Sequence, residues 1–276
     1  EPQKIQVLEE VSGRKRRHLI GEKLYQIMST ILFLGTNLEK TLFQSLLDAK
    51  QIHGTKHKIA EDIKRDPLTY GRLILGALIM GRKLAAITKK GEAVGILLPN
   101  VLGAIVTFFG LQAYSRVTAL LNFSSGAQNV ASACVTAQLK IVCTSRVFIE
   151  TAKLDNLIKA IEQKNIKIIY LEDIKNNITF IDKLIAMLAS KMPFFFGVSQ
   201  KEEQALKPAV ILFTSGSEGS PKAVVLSSKN LHANKAQLAS RVDFTPSDIV
   251  LNALPMFHSF GLTAGTILPI LYGMKV

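Results

Sequence analysis

Residues 209–227 read AVILFTSGSEGSPKAVVLS, two short apolar runs around a loop of hydroxyl and glycine residues with one lysine. Thr214, Ser215 and Ser217 offer hydroxyl donors. Gly216 and Gly219 let the backbone approach a ligand closely and take up positive φ, which turns N–H groups toward an anion. Pro221 stiffens the exit, and Lys222 adds a point charge suited to a phosphate. A bare turn needs one or two such residues; this density points to the holding of a phosphate chain. The loop is not a Walker loop. Ser220 and Pro221 separate Gly219 from Lys222, and β-branched AVVL follows where a Walker loop opens a helix. The expected device is strand, loop, strand.

A second constellation is LPMFHSFGL at 254–262. His258 follows LNALPMF, which reads as the end of a strand, where ligands gather in open α/β sheets. A lone histidine also packs at strand ends for purely structural reasons, and that reading stays open. The other histidines, His18, His53, His57 and His232, are expected at the surface or in packing. Cys134 and Cys143 lie in no CxxC pair and beside no metal-spaced histidine, so they read as ordinary free thiols. No metal ligand is assigned.

The elements that must position these residues alternate along the chain. Strands are expected at 93–98, 116–123, 140–145, 166–173, 209–213 and 223–227, and helices at 101–113, 127–139, 148–164 and 179–190. Residues 191–208 read as a connecting loop. This alternation predicts an α/β fold with largely parallel sheets flanked by helices. The apolar stretch 94–111 is split by Pro99 and Asn100. It reads as a buried strand, a turn and a buried helix, because a spanning helix needs about 20 continuous apolar residues. Residues 14–35 open with Arg14, Lys15, Arg16 and Arg17 and continue as an amphipathic helix. That pattern suits a membrane surface or an inter-domain segment.

With 276 residues, 48% of them hydrophobic, the chain can bury a sizeable core. Its formal net charge of +13 favours anionic partners: nucleotide, lipid headgroups or an acidic carrier. Nucleic acid is excluded as the expected partner, since no basic stripe interleaves with aromatics and tryptophan is absent. No secretory signal is read in residues 1–18. Both ends look cut, so the chain reads as a piece of a longer protein.

The loop FTSGSEGSPKAVVLS resembles the phosphate-binding signature of the adenylate-forming superfamily of acyl-CoA synthetases, adenylation domains and luciferases. LPMFHSFGL resembles that superfamily's next motif, and VGILLPN with LQAYSRVTALLNF its upstream strand–helix–strand unit. The resemblance covers roughly residues 37–276. TLFQSLLDAK, LTYGRL, YLEDI and LPMFHSFGLTAGTILPILYG are similar to the family of bacterial bifunctional enzymes that join an acyl-acyl-carrier-protein synthetase to a 2-acylglycerophosphoethanolamine acyltransferase. Residues 1–36 would then be the tail of a preceding acyltransferase, and 37–276 the N-terminal portion of the AMP-binding, acyl-activating domain, incomplete at its C-terminus. The acyltransferase's own His-x4-Asp motif is not present. Glu218 stands where many members carry threonine, Ala223 and Ser115 where glycine is usual, and Ser228 where histidine is common. At Ala223 alanine is strained if the position needs positive φ, and harmless if it opens a strand.

The resemblance implies a two-step reaction. A fatty-acid carboxylate attacks the α-phosphate of ATP, giving acyl-adenylate and pyrophosphate; the thiol of acyl carrier protein or coenzyme A then takes the acyl group. It implies phosphate contacts by Thr214, Ser215, Gly216, Ser217, Glu218, Gly219 and Lys222. Phe257, His258 and Gly261 would lie by the acid, with His258 and Lys222 as the catalytic assignments. ATP and Mg2+ are the implied cofactors, with most Mg2+ ligands outside this chain. The implied place is the cytoplasmic side of a bacterial inner membrane. Two alternatives remain: a long-chain acyl-CoA synthetase, and a non-catalytic chain that binds nucleotide or lipid.

Overall fold

The computed structural model describes residues 13–198, 202–214 and 221–276. The chain opens with α1 (Gly13–Leu34), α2 (Leu42–His53), a small antiparallel pair β1 (Lys58–Ala60) and β2 (Leu68–Thr69), and α3 (Tyr70–Ala85). Then come β3 (Ala93–Ile96), α4 (Leu102–Ala113), β4 (Val117–Leu120), α5 (Ala127–Thr136) and β5 (Ile141–Thr144). They are followed by α6 (Arg146–Ala152), α7 (Asp155–Glu162), β6 (Lys167–Tyr170), α8 (Leu171–Asn176) and α9 (Phe180–Lys191). The last elements are β7 (Pro208–Thr214), β8 (Lys222–Ser227), α10 (Ser228–Ala239), α11 (Ser259–Leu262), a π-turn at Thr263–Ile267, and α12 (Leu268–Tyr272).

The main sheet runs β6-β5-β3-β4-β7-β8. The first five strands are parallel, and β8 is the antiparallel edge. Short strands buried on both faces need apolar residues throughout, and β4 and β5 are buried at every position. β5 shows the alternation of a strand, since Val142 joins one core layer and Cys143 the other. One layer gathers Leu73, Ile74, Phe108 and Phe109 under α3 and α4; the other gathers Val130, Cys134, Leu157 and Ile161 under α5 and α7. Helices α3 and α4 touch backbone to backbone, because a Cβ on Gly81 would sit 2.2 Å from the Gly110 carbonyl oxygen. Burial pushes both cysteine thiols up to about 12, so both are inert.

The α/β fold with a mostly parallel sheet is as read from sequence; three local expectations are corrected. The single helix at 148–164 is two, broken at Lys153, which adopts a left-handed backbone with φ 53°. The strand at 166–173 ends at Tyr170, and Leu171–Asn176 turn into α8. Residues 191–208 include 3-10 turns at Pro193–Phe196 and Glu202–Leu206.

α1 lies outside the sheet layers with no buried residue. It rests on α10 by a mixed side: Tyr25 donates its hydroxyl to the Arg241 carbonyl at 2.6 Å, and Gln26, Ser29, Thr30 and Phe33 line a groove with Gln237 and Ser240. Among the described residues no helix is long and apolar enough to cross a membrane.

Candidate functional site

β7 and β8 form a hairpin in which Thr214 pairs with Lys222, Phe213 with Ala223 and Leu212 with Val224. The strand–loop–strand device is therefore present, with Thr214 and Lys222 exposed on opposite sides of its mouth. Ser215, Gly216, Ser217, Glu218 and Gly219 lie outside the described residues. Ala223 sits in β8 opposite Phe213, an ordinary strand position where alanine carries no strain. Ser115 does adopt positive φ, at 57°. Ser228 is buried as the first residue of α10, behind a capping box made by Ser227 and Asn230.

Thr214 is the last residue of a parallel strand, so the hairpin mouth opens at the carboxyl edge of the sheet. The chain winds from β3 to β4 over one face and from β4 to β5 over the other, and the crevice of such a sheet lies outside the strand ends at that reversal. The segment 252–258 occupies this edge. Asn100, just beyond β3, donates its side-chain amide to the carbonyls of Asn252 (3.1 Å) and Leu254 (2.8 Å) and accepts from the Met256 N–H (3.0 Å). Phe123, just beyond β4, meets Phe257 edge-on with centroids 5.1 Å apart and meets Phe148 in the same manner.

His258 does not end a strand. Residues 250–257 form no strand, and His258 caps the short α11, its Nδ1 accepting from the Phe260 N–H at 3.3 Å. Proline at 255 and the hold of Asn100 on three backbone groups keep the segment out of a ladder. The imidazole is exposed at the same edge as the hairpin mouth, while Phe257 is half-buried. Gly261 is required by close packing: a Cβ there would lie 2.3 Å from the Pro255 carbonyl oxygen. Its own carbonyl accepts from Asn252 Nδ2 and Thr266 Oγ1, which ties α11 back to the loop.

Sequence reasoning brought Thr214, Lys222, Phe257, His258 and Gly261 forward, and all five lie on elements at this edge. It missed Asn100, Asn252 and Phe123, which hold the His258 segment. The signal for Asn100 was a Pro-Asn step closing a buried strand, visible only as a turn.

Next to His258, a cavity of about 420 Å³ lies between α10 and α11, lined by Leu226, Leu231, Leu238, Phe260 and Thr263. A second cavity, about 540 Å³, opens at the ends of β3, β5 and β6 between Pro99, Phe148 and Leu171. Glu172 reaches it, accepting from Ser145 Oγ at 2.6 Å. The donor set at the hairpin mouth, a hydroxyl and an ammonium, fits a phosphate chain. Among the described residues no group of three or more His, Cys, Asp or Glu side chains is placed to hold a metal ion.

A family model described as AMP-binding enzyme matches residues 49–276. The acyl-CoA ligase sidI of Beauveria bassiana is 25% identical over 190 residues, covering 67% of this chain and 32% of that protein. The 2-succinylbenzoate–CoA ligase of Bacillus cytotoxicus is 24% identical over 223 residues, covering 80% of this chain and 40% of that protein. The chain thus spans two fifths or less of the length of these relatives. By fold it is similar to ATP-bound MatB from Rhodopseudomonas palustris, with a TM-score of 0.68 at 21% identity over 85% of this chain and 44% of that one. The fold is that of the N-terminal domain of adenylate-forming enzymes.

Proposed function

Since the chain belongs to the AMP-binding enzyme family, we propose that it supplies the phosphate-holding half of an AMP-forming acid–thiol ligase. The observation that carries this reading is the hairpin, with Thr214 and Lys222 paired at its mouth on the sheet edge along which the 252–258 segment runs. Lys222 and the hydroxyls of the loop hold the departing phosphates of ATP. This matters because a carboxylate and a polyphosphate repel each other until donors screen them. His258 and Phe257 orient the carboxylate, and the apolar cavity between α10 and α11 takes the organic part of the acid. Mg2+, when bound with ATP, neutralises phosphate charge. In the proposal residues 37–276 form the acyl-activating portion, and residues 1–36 precede it as a tail.

Coenzyme A is the favoured acceptor, because the curated relatives are CoA ligases. The transfer of a fatty acid to acyl carrier protein, coupled to lysophospholipid reacylation, is carried by the sequence resemblance alone. The test is acid-dependent pyrophosphate release from ATP with fatty, aromatic and dicarboxylic acids in parallel, followed by thioester formation with each acceptor. CoA thioester formation is expected. Thioester on the carrier protein only would favour the bifunctional reading, and ATP binding that no acid couples to pyrophosphate release would sink the ligase reading.

α1 carries the remaining part of the proposal, contact with the anionic inner face of a membrane. Its N-terminal Arg14, Lys15, Arg16 and Arg17 precede outward Leu24, Ile27, Met28 and Ile31. Each basic residue near such a surface contributes about 1 kcal/mol. Arg16→Glu with Arg17→Glu is expected to abolish salt-sensitive binding to anionic vesicles through α1; unchanged binding would remove α1 from the proposal.

A further inference from the structure

Helix α9 is docked the opposite way round from an ordinary surface helix. Such a helix buries its apolar stripe and shows its charges. On α9 the side turned inward is Asp182, Ala186 and Ala189, spaced four and three apart on one face. The side turned outward carries Phe180, Ile181, Leu184, Met187 and Leu188, each between 40% and 79% exposed, and Met192 and Phe195 continue it beyond the helix end.

The orientation is bolted. Asp182 receives Arg82 Nη1 at 2.6 Å and Lys83 Nζ at 2.7 Å, both from the last turn of α3. It also closes a capping box, taking the Thr179 N–H and hydroxyl at 2.9 Å each. These partners hold the carboxyl well below the usual carboxylate range, with the Lys83 hydrogen bond the largest cause. The two buried alanines let α9 lie close on α3. Rolling the helix to hide its phenylalanine and leucines would strip this carboxylate of its cations, so the apolar side stays out.

Seven large apolar side chains in one patch exceed the scattered exposure normal for a surface. The exposed charges on α9 are Lys183 and Lys191, both positive. A two-fold pairing of this face with itself would set lysine against lysine. A helix of 12 residues is about 18 Å long, too short to cross about 30 Å of hydrocarbon. Apolar side out, Lys183 at its flank, Lys191 at its C-terminal end and this length suit a helix lying in the plane of a bilayer surface.

We propose that α9, with Met192 and Phe195, is a lipid-facing element that seats this protein on a bilayer containing anionic headgroups. The site is separate from the hairpin and from α1 and rests on neither the ligase chemistry nor the basic N-terminal cluster.

The chain has no tryptophan, so Phe180→Trp gives a single fluorescent reporter on this face. Its emission is expected to shift to the blue with phosphatidylcholine–phosphatidylglycerol vesicles and to be quenched by acyl chains brominated near the headgroup. The triple variant Phe180→Ser/Leu184→Ser/Leu188→Ser should lower vesicle partition at least tenfold while keeping a cooperative melting transition, because Phe180 is exposed and the two leucines are only part-covered. Lys183→Glu/Lys191→Glu should lower it for anionic vesicles and remove its salt dependence. The α1 pair Leu24→Ser/Ile31→Ser separates the two helices: it leaves the Phe180→Trp shift in place if α9 binds by itself. Three results would each overturn the proposal. They are emission indifferent to vesicles, a triple variant that partitions like the parent, and a concentration-dependent dimer that the triple variant abolishes.

Discussion

Asn100 and Met256 lie 156 residues apart and are joined by a 3.0 Å hydrogen bond from the Met256 N–H to the Asn100 side-chain oxygen. The same side chain donates to the carbonyls at 252 and 254, so one residue at the end of β3 shapes the backbone that presents His258. Asn100→Ala is expected to cost about 1–3 kcal/mol, since three backbone groups lose a partner and two can turn to water. Hydrogen exchange at the Met256 amide should accelerate with it. An amide as protected as in the parent would mean that the segment is held by other contacts.

Lys222 stands at the hairpin mouth and is exposed, so its removal tests binding without testing folding. Lys222→Ala should change stability by less than about 0.5 kcal/mol. It should weaken ATP binding by about 1.5–3 kcal/mol, the worth of one charge-assisted phosphate contact. Titration calorimetry measures both variants. Equal affinity in the two would falsify the placement of the phosphate chain at this loop.

Ser115 is held at φ 57° in the turn between α4 and β4, where its N–H bonds the Gln112 carbonyl and its carbonyl accepts from Gly91. A left-handed serine costs about 1–2 kcal/mol, and glycine removes that strain while adding about 0.4–1 kcal/mol of chain entropy to lose. Ser115→Gly is expected to stabilise the protein by about 0.5–1 kcal/mol, read as a higher urea midpoint at unchanged slope. A lower midpoint would show that the serine side chain contributes packing that outweighs its backbone strain.

What the sequence made legible is what depends on neighbours in the chain. The β-branched runs on both sides of 214–222 could only be strands, and the loop between them is too short for a crossover, so the hairpin followed. The alternation of apolar runs with helical spacing gave the parallel sheet. Three features were hidden because distant residues decide them. The segment before His258 has the composition of a strand, but Asn100 takes its backbone groups. Lys153 breaks a periodic helix without a glycine or proline to announce it, since the bend is set by how α6 and α7 pack on the sheet. The sequence marks α9 as a helix, but the pairing of Asp182 with Arg82 and Lys83 decides which side faces out, and it turns the Phe–Leu stripe outward.

His232 on α10 is buried against α2, its Nε2 3.2 Å from Ser45 Oγ. Burial, and then the charge of Lys235 one turn on, bring its pKa from 6.5 down to about 4. The folded protein therefore keeps this imidazole neutral at pH values where the unfolded chain protonates it. Between pH 6.5 and about 4 the unfolded state binds more protons, so stability falls as pH falls through that window. The full effect is on the order of 3 kcal/mol. Lys235, brought by burial from 10.5 to about 8, has the same sign in its own window: stability rises between pH 8 and 10.5. Carboxylates with lowered pKa, Asp182 first, lose their contribution only below about pH 4. Urea unfolding between pH 5 and 7.5 spans the window in which His232 contributes and, with the same sign, the less buried His53, whose pKa is lowered by burial and then by the charge of His57. The parent is expected to lose stability as pH falls across that range, and His232→Gln should flatten most of the slope. A variant with the parent's slope would assign the acid sensitivity to a group other than His232.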